Sequence, residues 1–318
     1  MKITLITPAK KHSKNGNMST ALRWVQILRD QGHSVHVDNT YNGYEYDLMI
    51  ALHAWRSATS IAEFKTRFPK KPLIVALGGT DVNTFLKTDP EPTLKSMDMA
   101  DALVCLNSTI QKALPKHLHS KLHVILQSAN PLSRPSSPRK RSFGVCVIGN
   151  LREEKDPFRT ARASRLLPAS SKLKVRHLGK AYSAKWAAQA ESEMAENPRY
   201  NWIGEVTRAQ VRQEYAKTHL MVISSNQEGG ANVVSEAIVA GVPIIASKID
   251  GNVGLLGENY PGYYPVRDER ALANLLIRAE TDADFLASLQ AHCDQLRPLF
   301  TLASEAAAWR DLFSQVTK

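Results

Sequence analysis

The sequence contains little cysteine and no long apolar run. Only three cysteines occur among 318 residues, namely Cys105, Cys146 and Cys293, and so small and odd a number argues against a disulfide framework. The first two lie in apolar stretches, so we expect buried, reduced thiols. No apolar stretch approaches the ~20 residues that a membrane-spanning helix needs, and the first residues become basic too soon for a signal peptide. A cytoplasmic protein without stable membrane association is expected.

Several motifs that identify enzyme classes are also missing. Neither the G-x-G-x-x-G fingerprint of dinucleotide binding nor the P-loop pattern G-x-x-x-x-G-K-[ST] follows an early strand of either half. There is no G-x-S-x-G nucleophile elbow. Histidines cluster at His117, His119 and His123, but no cysteine pair or acidic partner accompanies them at zinc spacing. We therefore expect neither a metal nor a tightly bound cofactor.

Positive charge is in excess. The chain has 41 basic and 30 acidic residues, a net charge of +11, which favours anionic partners such as nucleotides, phosphate-like ions, nucleic acid or anionic lipid. A merely well-solvated basic surface is an equally ordinary explanation. No stretch interleaves basic and aromatic residues in the way that single-stranded nucleic acid binding requires. Binding of nucleic acid is therefore not expected.

Short apolar runs alternate with helical ones along the first half of the chain. Ser19 is suited to cap the first helix and Gly32 to end it. The predicted strands are residues 2–7, 34–38, 47–52, 73–77, 102–106 and 122–126, and the predicted helices are 19–31, 57–68 and 108–114. Near-continuous apolar strands separated by helices indicate a parallel sheet that is covered on both faces.

A stretch with three prolines, residues 131–141, reads as a linker, and the alternation then restarts. The second set of predicted strands is 143–148, 173–178, 201–203, 220–223 and 242–246. A chain of this length commonly forms two domains. We predict an α/β protein with two doubly wound domains, 1–130 and 143–300, joined by the linker 131–142. A C-terminal helix, 301–318, follows, and packing against the first domain is one option for it. Ligands of such sheets lie beyond the carboxyl ends of the strands, so the cleft between the domains is the expected site.

Two glutamates eight residues apart, Glu228 and Glu236, mark the most informative segment. Gly229, Gly230 and Asn232 follow the first glutamate, after a strand and at the start of a helix that contains the second. A helix N-terminus suits a phosphate, and a carboxylate suits sugar hydroxyls. Eight helical residues span roughly 12 Å, so the two carboxylates suit different ends of one long ligand. The ordinary alternative is a polar loop followed by a solvated helix face.

The loop that follows the first strand of the second domain is charged. Gly149 allows a sharp exit from the strand, and Asp156 with Pro157 opens the next helix. Arg152 and Lys155 in this loop suit a diphosphate, which a guanidinium grips as a fork and an ammonium meets as a point charge. A charged helix cap with internal ion pairs is an equally good explanation.

Polar residues also follow the strands of the first domain. A basic loop with an Asn-Gly step lies between the first strand and the first helix, and such a loop can bind an anion. A lone histidine at a strand end is more often structural than catalytic. The substrate-binding candidates in this domain are Lys10, Asn15, Gly16, Asn17, His53, Arg56 and Asp81.

The segment Glu228-Gly229-x-x-Asn232-x-x-x-Glu236-Ala237, followed by Ala240-Gly241-Val242-Pro243 and by Gly251-Asn252, resembles the retaining glycosyltransferases of the GT-B fold (family 4-like). The resemblance implies two Rossmann-like domains that face a central cleft, the first for the acceptor and the second for a nucleotide-sugar. It implies Glu228 on the donor sugar, Glu236 on the ribose and Lys155 on the diphosphate. Asn150 stands where the family has its usual Arg, so Arg152 is the expected substitute. The implied catalytic residues are Glu228, Arg152 and Lys155, and the implied donor-binding residues are Glu236, Gly229, Gly230, Asn232, Gly149 and Asn150.

A narrower likeness extends along nearly the whole chain. Four segments are similar to segments of the selenosugar synthases of selenoneine biosynthesis: Arg152-Glu153-Glu154-Lys155-Asp156-Pro157-Phe158-Arg159, Asn197-Pro198-Arg199-Tyr200, Glu228-Gly229-Gly230-Ala231-Asn232-Val233-Val234-Ser235-Glu236 and Asn259-Tyr260-Pro261-Gly262-Tyr263. This likeness implies a UDP-sugar co-substrate, UDP-N-acetylglucosamine or UDP-glucose, and selenophosphate as the acceptor that forms a carbon–selenium bond. Other enzymes of that pathway would then be partners. A family 4-type transferase with a hydroxyl acceptor and, more remotely, a basic nucleic-acid-binding protein are the alternatives.

Overall fold

The computed structural model describes residues 1–9, 16–133 and 136–317. The chain forms two compact units: unit 1 comprises Met1–Ser128 with Leu302–Lys318, and unit 2 comprises Ala129–Thr301. The chain therefore passes between the units twice. Each unit contains one six-stranded sheet, and the paired strands are parallel throughout the described residues.

The sheet of unit 1 has the strand order β2-β1-β3-β4-β5-β6. Its direction of winding reverses between β1 and β3, which makes that point the topological switch point of the sheet. The strands are β1 (Lys2–Ile6), β2 (Ser34–Asp38), β3 (Leu48–Leu52), β4 (Leu73–Ala76), β5 (Ala102–Cys105) and β6 (Leu122–Val124). The helices between them are α1 (Gly16–Asp30), α2 (Ala58–Arg67), α3 (Leu86–Thr88) and α4 (Pro90–Met99), with a π-helical segment at Asp81–Phe85 and 3-10 segments at Ile110–Ala113 and Lys116–Lys121.

Helices cover both faces of this sheet, because its strands are apolar at consecutive positions. Leu5 of β1 belongs to the core on the side of α1, together with Trp24. The next residue, Ile6, belongs to the core on the opposite side, together with Phe64 of α2. Consecutive residues of a strand point to opposite faces, so near-continuous apolar strands supply two cores at once. The predicted doubly wound α/β class is confirmed.

The sheet of unit 2 has the order β12-β11-β10-β7-β8-β9, the doubly wound order whose switch point lies between its first and fourth strands. The strands are β7 (Phe143–Ile148), β8 (Leu173–Leu178), β9 (Tyr200–Gly204), β10 (Leu220–Ile223), β11 (Ile244–Ser247) and β12 (Tyr263–Tyr264). The helices are α5 (Arg159–Arg165), α6 (Ala184–Glu196), α7 (Arg208–Tyr215), α8 (Asn232–Ala240), α9 (Asp250–Leu256), α10 (Glu269–Thr281) and α11 (Ala283–Leu296), with 3-10 segments at Glu153–Lys155 and Arg297–Phe300.

The helix α12 (Leu302–Val316) belongs to unit 1, although it follows all of unit 2 in the chain. Its Trp309 packs edge-on against Trp24 of α1, with ring centroids 4.8 Å apart, and both side chains are fully buried. Its Glu305 is buried as well and accepts hydrogen bonds from Arg23 Nε and Trp24 Nε1, both at 2.8 Å. The amide and hydroxyl of Ser128 also donate to this carboxylate, so one charged group joins α1, α12 and the point where the chain leaves unit 1.

Three local predictions are wrong. Ser19 does not cap the first helix, because α1 already includes Gly16. The helix expected at 108–114 is only a short 3-10 segment, Ile110–Ala113. Asp156 does not open α5, which begins at Arg159. Asp156 instead adopts a left-handed backbone with φ of 42°, and its carboxylate accepts a 2.8 Å hydrogen bond from Arg159 Nε.

The three cysteines are free and buried, as expected. Burial raises the pKa of Cys105 to about 12 and that of Cys293 to about 11. Burial also raises the pKa of Cys146. A thiol that stays protonated at neutral pH is a poor nucleophile, so these residues serve as small apolar side chains.

Candidate functional site

The candidate donor site lies at the switch point of unit 2. The loop after β7 carries Arg152 and Lys155, and the loop after β10 carries Glu228. Strands β7 and β10 are hydrogen-bonded neighbours, so the carboxyl ends of both strands meet at one edge of the sheet. Ligands of doubly wound sheets bind at such a point. The fold therefore brings together two groups that are 73 residues apart in the chain.

Glu228 is held from two sides. Its Oε1 accepts a hydrogen bond from the Lys155 ammonium and another, at 2.6 Å, from the hydroxyl of Ser225. The two charged side chains are mostly buried, with 21% of Lys155 and 10% of Glu228 exposed. A partly desolvated ion pair with a further hydrogen bond has a well-defined geometry. The sequence predicted the two residues as site members but not that they would contact each other.

Hydrogen bonds to the backbone fix the two loops against each other. The Ser224 hydroxyl donates to the carbonyls of Lys155 and Asp156 at 3.1 and 2.9 Å. The Asn226 amide donates to the carbonyl of Glu154 at 2.9 Å, and its side chain donates to that of Glu153 at 3.1 Å. The cationic loop cannot shift without breaking these bonds, so the position of Lys155 is set in part by the loop that carries Glu228.

Gly251 packs against the backbone of Glu228, and its lack of a side chain leaves room for that backbone. A Cβ atom added at Gly251 would lie 2.4 Å from the carbonyl oxygen of Glu228, closer than any real contact. Asn252 is fully buried, and its side-chain amide donates to the carbonyl of Ser247 at 2.9 Å. The Ser247 hydroxyl in turn donates to the carbonyl of Ser225 at 2.6 Å. Gly251 and Asn252 thus support the loop that carries Glu228.

Gly149 and Asn150 form the start of the loop after β7. The sequence suggested that Gly149 is needed for a sharp exit from the strand, and the structure shows a different arrangement. The φ angle of Gly149 is not positive, and a Cβ there would meet no atom within 4 Å. The glycine that the packing requires is Gly179, where a Cβ would lie 1.9 Å from the Gly149 carbonyl oxygen. The Asn150 Oδ1 accepts a 2.9 Å hydrogen bond from the Lys180 amide, so Asn150 anchors this loop to the end of β8.

His177 of β8 lies under the same loop. Its Nε2 is 2.9 Å from the Gly149 carbonyl and must donate to it, and its Nδ1 is 3.0 Å from the Tyr200 hydroxyl and accepts. Burial lowers the pKa of His177 to about 4, so the ring is neutral at physiological pH. No motif in the sequence pointed to this residue, which supports the loop through its hydrogen bond to the Gly149 carbonyl.

Arg152 faces Glu154 and an aromatic ring. Its Nη1 lies 2.9 Å from Glu154 Oε1, and its guanidinium lies 5.4 Å from the centroid of the Tyr182 ring. Among the described residues, its Nε is buried and has no hydrogen-bond partner. A buried donor without a partner is costly, and an anionic ligand is one group that would satisfy it.

The second carboxylate, Glu236, is carried by α8. Gly230 adopts a φ of 146° immediately before this helix, and Ala231 at its N-cap supplies no side-chain cap. A helix start of this kind suits a phosphate. Oε2 of Glu236 lies 3.5 Å from the Tyr215 hydroxyl, whose pKa is raised by burial and by the charge of Glu236. Gly229 and Asn232 lie at the same turn.

A small cavity of ≈ 20 Å³ lies between the strands and these loops, and both Lys155 and Glu228 line it. Sites for small molecules usually enclose about 300–1,000 Å³. The cavity by itself is therefore too small to enclose a ligand of that size. The sequence did not single out Ser225, Gly179 or Gly251 as site residues, although Gly251 stands in the segment that carries the family resemblance.

Three of the candidate residues of unit 1, Asn17, His53 and Asp81, lie together at its own switch point. Asn17 follows β1, and His53 follows β3, the two strands between which the winding reverses. His53 Nε2 lies 3.0 Å from Asn17 Nδ2, and His53 Nδ1 lies 3.0 Å from Asp81 Oδ2. Asp81 is fully buried and His53 nearly so. Of the seven candidates in this unit, these three form one hydrogen-bonded chain.

Arg56 lies beside an aromatic pair. Trp55 and Phe85 stack with ring centroids 4.0 Å apart, and the Arg56 guanidinium lies 5.8 Å from the centroid of Phe85. Arg56 is exposed. Gly16 is the first residue of α1, while Lys10 and Asn15 lie outside the described residues.

Within residues 1–9, 16–133 and 136–317, no three His, Cys, Asp or Glu side chains come together in a way that could hold a metal ion. In the same residues, no helix has both the length and the apolar character needed to span a membrane.

Similar sequences and similar folds occur among known proteins. Residues 130–295 match the family model of glycosyl transferases group 1. The chain is 23% identical over 281 residues to glycosyltransferase 1 domain-containing protein 1 of Xenopus tropicalis, covering 80% of this chain and 81% of that protein. Its fold is similar to that of Anabaena Alr3699/HepE in complex with UDP (TM-score 0.81, 16% identity, 99% of this chain and 100% of that chain). Sucrose-phosphate synthase from Thermosynechococcus elongatus is similar too (TM-score 0.80, 15% identity, 99% and 98%).

Because the family model matches more than half of the sequence, the chain belongs to the glycosyl transferases group 1 family. The predicted GT-B fold is confirmed by the two parallel six-stranded sheets and by the similarity to solved structures over 99% of the chain. The resemblance to selenosugar synthases stays a prediction.

Proposed function

We propose that the protein transfers a sugar from a UDP-sugar to selenophosphate and that unit 2 binds the donor. The main support for donor binding by unit 2 is the ion pair of Lys155 and Glu228 at the switch point, next to the start of α8. A cation and a helix N-terminus suit the diphosphate, and a fixed carboxylate suits the sugar hydroxyls. Support also comes from a similar structure, Anabaena Alr3699/HepE, which was solved in complex with UDP-glucose.

In the proposed reaction, the selenium of selenophosphate attacks C1 of the sugar. The C1–Se bond forms while the bond from C1 to the diphosphate oxygen breaks, and the electron pair leaves with UDP. The phosphoryl group stays on selenium in this step. Lys155, with Arg152, stabilises the charge that grows on the leaving diphosphate, while Glu228 orients the sugar and Glu236 the ribose. Selenophosphate is an anion and a strong nucleophile, so positioning supplies most of the acceleration.

The choice of selenophosphate rests on the resemblance to selenosugar synthases and on charge. The net charge of +11 suits a reaction in which both substrates are anions. The sugar is UDP-N-acetylglucosamine or UDP-glucose. We place acceptor binding on unit 1, through Asn17, His53, Asp81 and Arg56 together with Gly16, Lys10 and Asn15. We expect no metal, a cytoplasmic location and other enzymes of selenoneine biosynthesis as partners.

The test combines the purified protein with each UDP-sugar and selenophosphate. We expect UDP release together with a selenium-bearing sugar detected by mass spectrometry. Lys155→Met removes the cation and should lower kcat/KM by about 10²–10³-fold, the usual effect of losing a group that stabilises a leaving charge. Lys174→Met is the matched control, because Lys174 is exposed on β8, outside the loops that carry Lys155 and Glu228, and its Nζ donates to the Pro198 carbonyl.

UDP release that depends on a hydroxyl compound and not on selenophosphate would replace the proposed acceptor with a glycan or lipid. Equal activity of Lys155→Met and the wild type would remove Lys155 from the donor site.

A further inference from the structure

His53 occupies a strained position that its surroundings enforce. Its φ of 69° lies in the left-handed region, which costs a residue other than glycine about 1–3 kcal/mol and persists only when neighbours over-determine it. The imidazole packs directly on Gly78, where a Cβ would lie 2.0 Å from His53 Cε1. The ring position and the backbone of His53 are therefore both fixed by its neighbours.

The hydrogen bonds of Asp81 set which nitrogen of His53 carries the proton. The carboxylate is fully buried and accepts from the Gly78 amide at 2.8 Å and the Trp55 amide at 3.1 Å. An ionised carboxylate only accepts, so the nearby Nδ1 of His53, at 3.0 Å, is the N–H side of the ring. Three donors compensate the buried charge and keep this tautomer in place.

The other ring nitrogen is already used. In the neutral ring with a proton on Nδ1, Nε2 can only accept, so the amide group of Asn17, at 3.0 Å, donates to it. This bond turns the Asn17 nitrogen toward the ring and the carboxamide oxygen away from it. A general base needs a free lone pair within reach of the substrate proton, and the lone pair of His53 is occupied by Asn17.

We propose that, within the hydrogen-bonded chain of Asn17, His53 and Asp81, Asn17 is the member that contacts the acceptor, and that His53 and Asp81 are positioning residues that fix its amide. This proposal rests on the function proposed above and names the acceptor-binding group. Asn17 belongs to the first turn of α1, where the partial positive charge of the helix favours an anion. Its second N–H and that charge suit a tetrahedral oxyanion such as selenophosphate. His53 transfers no proton.

The experiment measures the affinity for selenophosphate in two ways. The first is the steady-state KM for selenophosphate in the presence of a UDP-sugar, and the second is a ³¹P NMR binding titration, which needs no turnover. Asn17→Ala should weaken both by about 10- to 100-fold, the usual loss for a hydrogen bond to a charged group. His53→Ala should do the same. The double variant should be no worse than Asn17→Ala, because the two residues act as one unit.

His53→Gln is the decisive variant. A glutamine amide can donate to Asp81 and accept from Asn17, but it cannot take up a proton. We expect it to keep kcat and to hold KM within about threefold of the wild type, with an unchanged pH profile. Two results together would overturn the proposal and assign His53 as a base. The first is that His53→Gln loses as much kcat as His53→Ala, and the second is that Asn17→Ala binds selenophosphate normally.

The dissociation constant for UDP is the control in every variant, because the proposed donor groups all belong to unit 2. Unchanged UDP binding shows that unit 2 folds, and an unchanged thermal unfolding transition shows that unit 1, which carries Asn17 and His53, folds as well. If the wild type binds UDP but Asn17→Ala binds selenophosphate normally, only the present proposal fails. If the wild type binds UDP but not selenophosphate, the proposed acceptor and the role of Asn17 both fail. A wild type that binds no UDP contradicts the donor function itself.

Discussion

At the scale of single residues, Gly251 allows the backbone of the Glu228 loop to approach α9 closely. We predict that Gly251→Ala weakens UDP binding, because the added Cβ would lie 2.4 Å from the Glu228 carbonyl oxygen and 2.9 Å from its Cβ. The loop must then move, which displaces the carboxylate from Lys155. Overpacking of this kind typically costs 1–3 kcal/mol of stability, so about that loss is expected. Calorimetric titration with UDP and thermal unfolding measure the two effects.

Gly149→Ala is the control for stability, since a Cβ there meets no atom within 4 Å. Its unfolding free energy should stay within about 0.5 kcal/mol of the wild type. A Gly251→Ala variant with normal UDP affinity and normal stability would show that the close approach is not needed.

The chemistry of single residues was partly predictable. Glu228 and Lys155 stand out in the sequence because each follows an apolar strand within a glycine-containing or charged loop. Their mutual contact was not predictable, because 73 residues separate them and only the order of the strands brings β7 beside β10. Gly149 and Gly179 show the same limit, since which of two glycines must lack a side chain depends on packing between strands.

At the scale of secondary-structure elements, α12 is attached to unit 1 by a buried charge. We predict that Glu305→Ala lowers the free energy of unfolding by about 3–5 kcal/mol, as expected when one partner of a buried, hydrogen-bonded ion pair is removed. The variant leaves the guanidinium of Arg23, the indole N–H of Trp24 and the Ser128 amide without this acceptor. Urea-induced unfolding of the wild type and variant measures the loss.

Glu196→Ala is the matched control. Glu196 also forms an ion pair, with Arg165 at 3.1 Å, but 59% of its side chain is exposed. Exposed pairs contribute about 0–1 kcal/mol, so this variant should unfold nearly like the wild type. Similar losses of unfolding free energy in the two variants would mean that the burial of Glu305 makes no extra contribution to stability.

The elements themselves followed from sequence where apolar runs were long enough. Strands β2, β7, β8 and β10 coincide with the predicted ranges. The helix expected at 108–114 failed because Pro115 follows it directly and disfavours helical backbone at the preceding residue, leaving only a 3-10 segment. The edge strand β12 was missed because two residues, Tyr263 and Tyr264, are too few to show a period.

At the scale of the whole molecule, the proposed donor site lies entirely within unit 2. We predict that UDP at about 100 times its dissociation constant stabilises that unit by about 2.7 kcal/mol. Hydrogen exchange of backbone amides should then slow by up to about 100-fold in β7, β10 and α8, where exchange requires opening of the unit. Mass spectrometry of peptides from both units reads this out.

The same concentration of UDP added to Lys155→Met is the control and should give little protection. Protection confined to β1–β5, with none in unit 2, would contradict the assignment of the donor to unit 2.

The overall architecture was also predictable in part. Apolar strands that alternate with helices indicated two parallel sheets, because consecutive buried residues need cover on both faces. The position of the strands in each sheet was not readable from the sequence, and neither was the contact of Trp309 with Trp24. Contacts between residues so far apart depend on the closed fold, while local patterns depend only on neighbours.

The double passage of the chain between the units has a consequence for synthesis on the ribosome. The strands of unit 1 emerge first, yet α12, which covers one of its apolar faces with Trp309, follows about 170 residues later. At a synthesis rate of about 5–20 residues per second, that apolar face stays exposed for roughly 10–35 s before α12 can pack against it. Unit 2 lies between these two segments in the sequence and can fold before α12 is synthesised, so the nascent first unit exposes this apolar face to the solvent during that time.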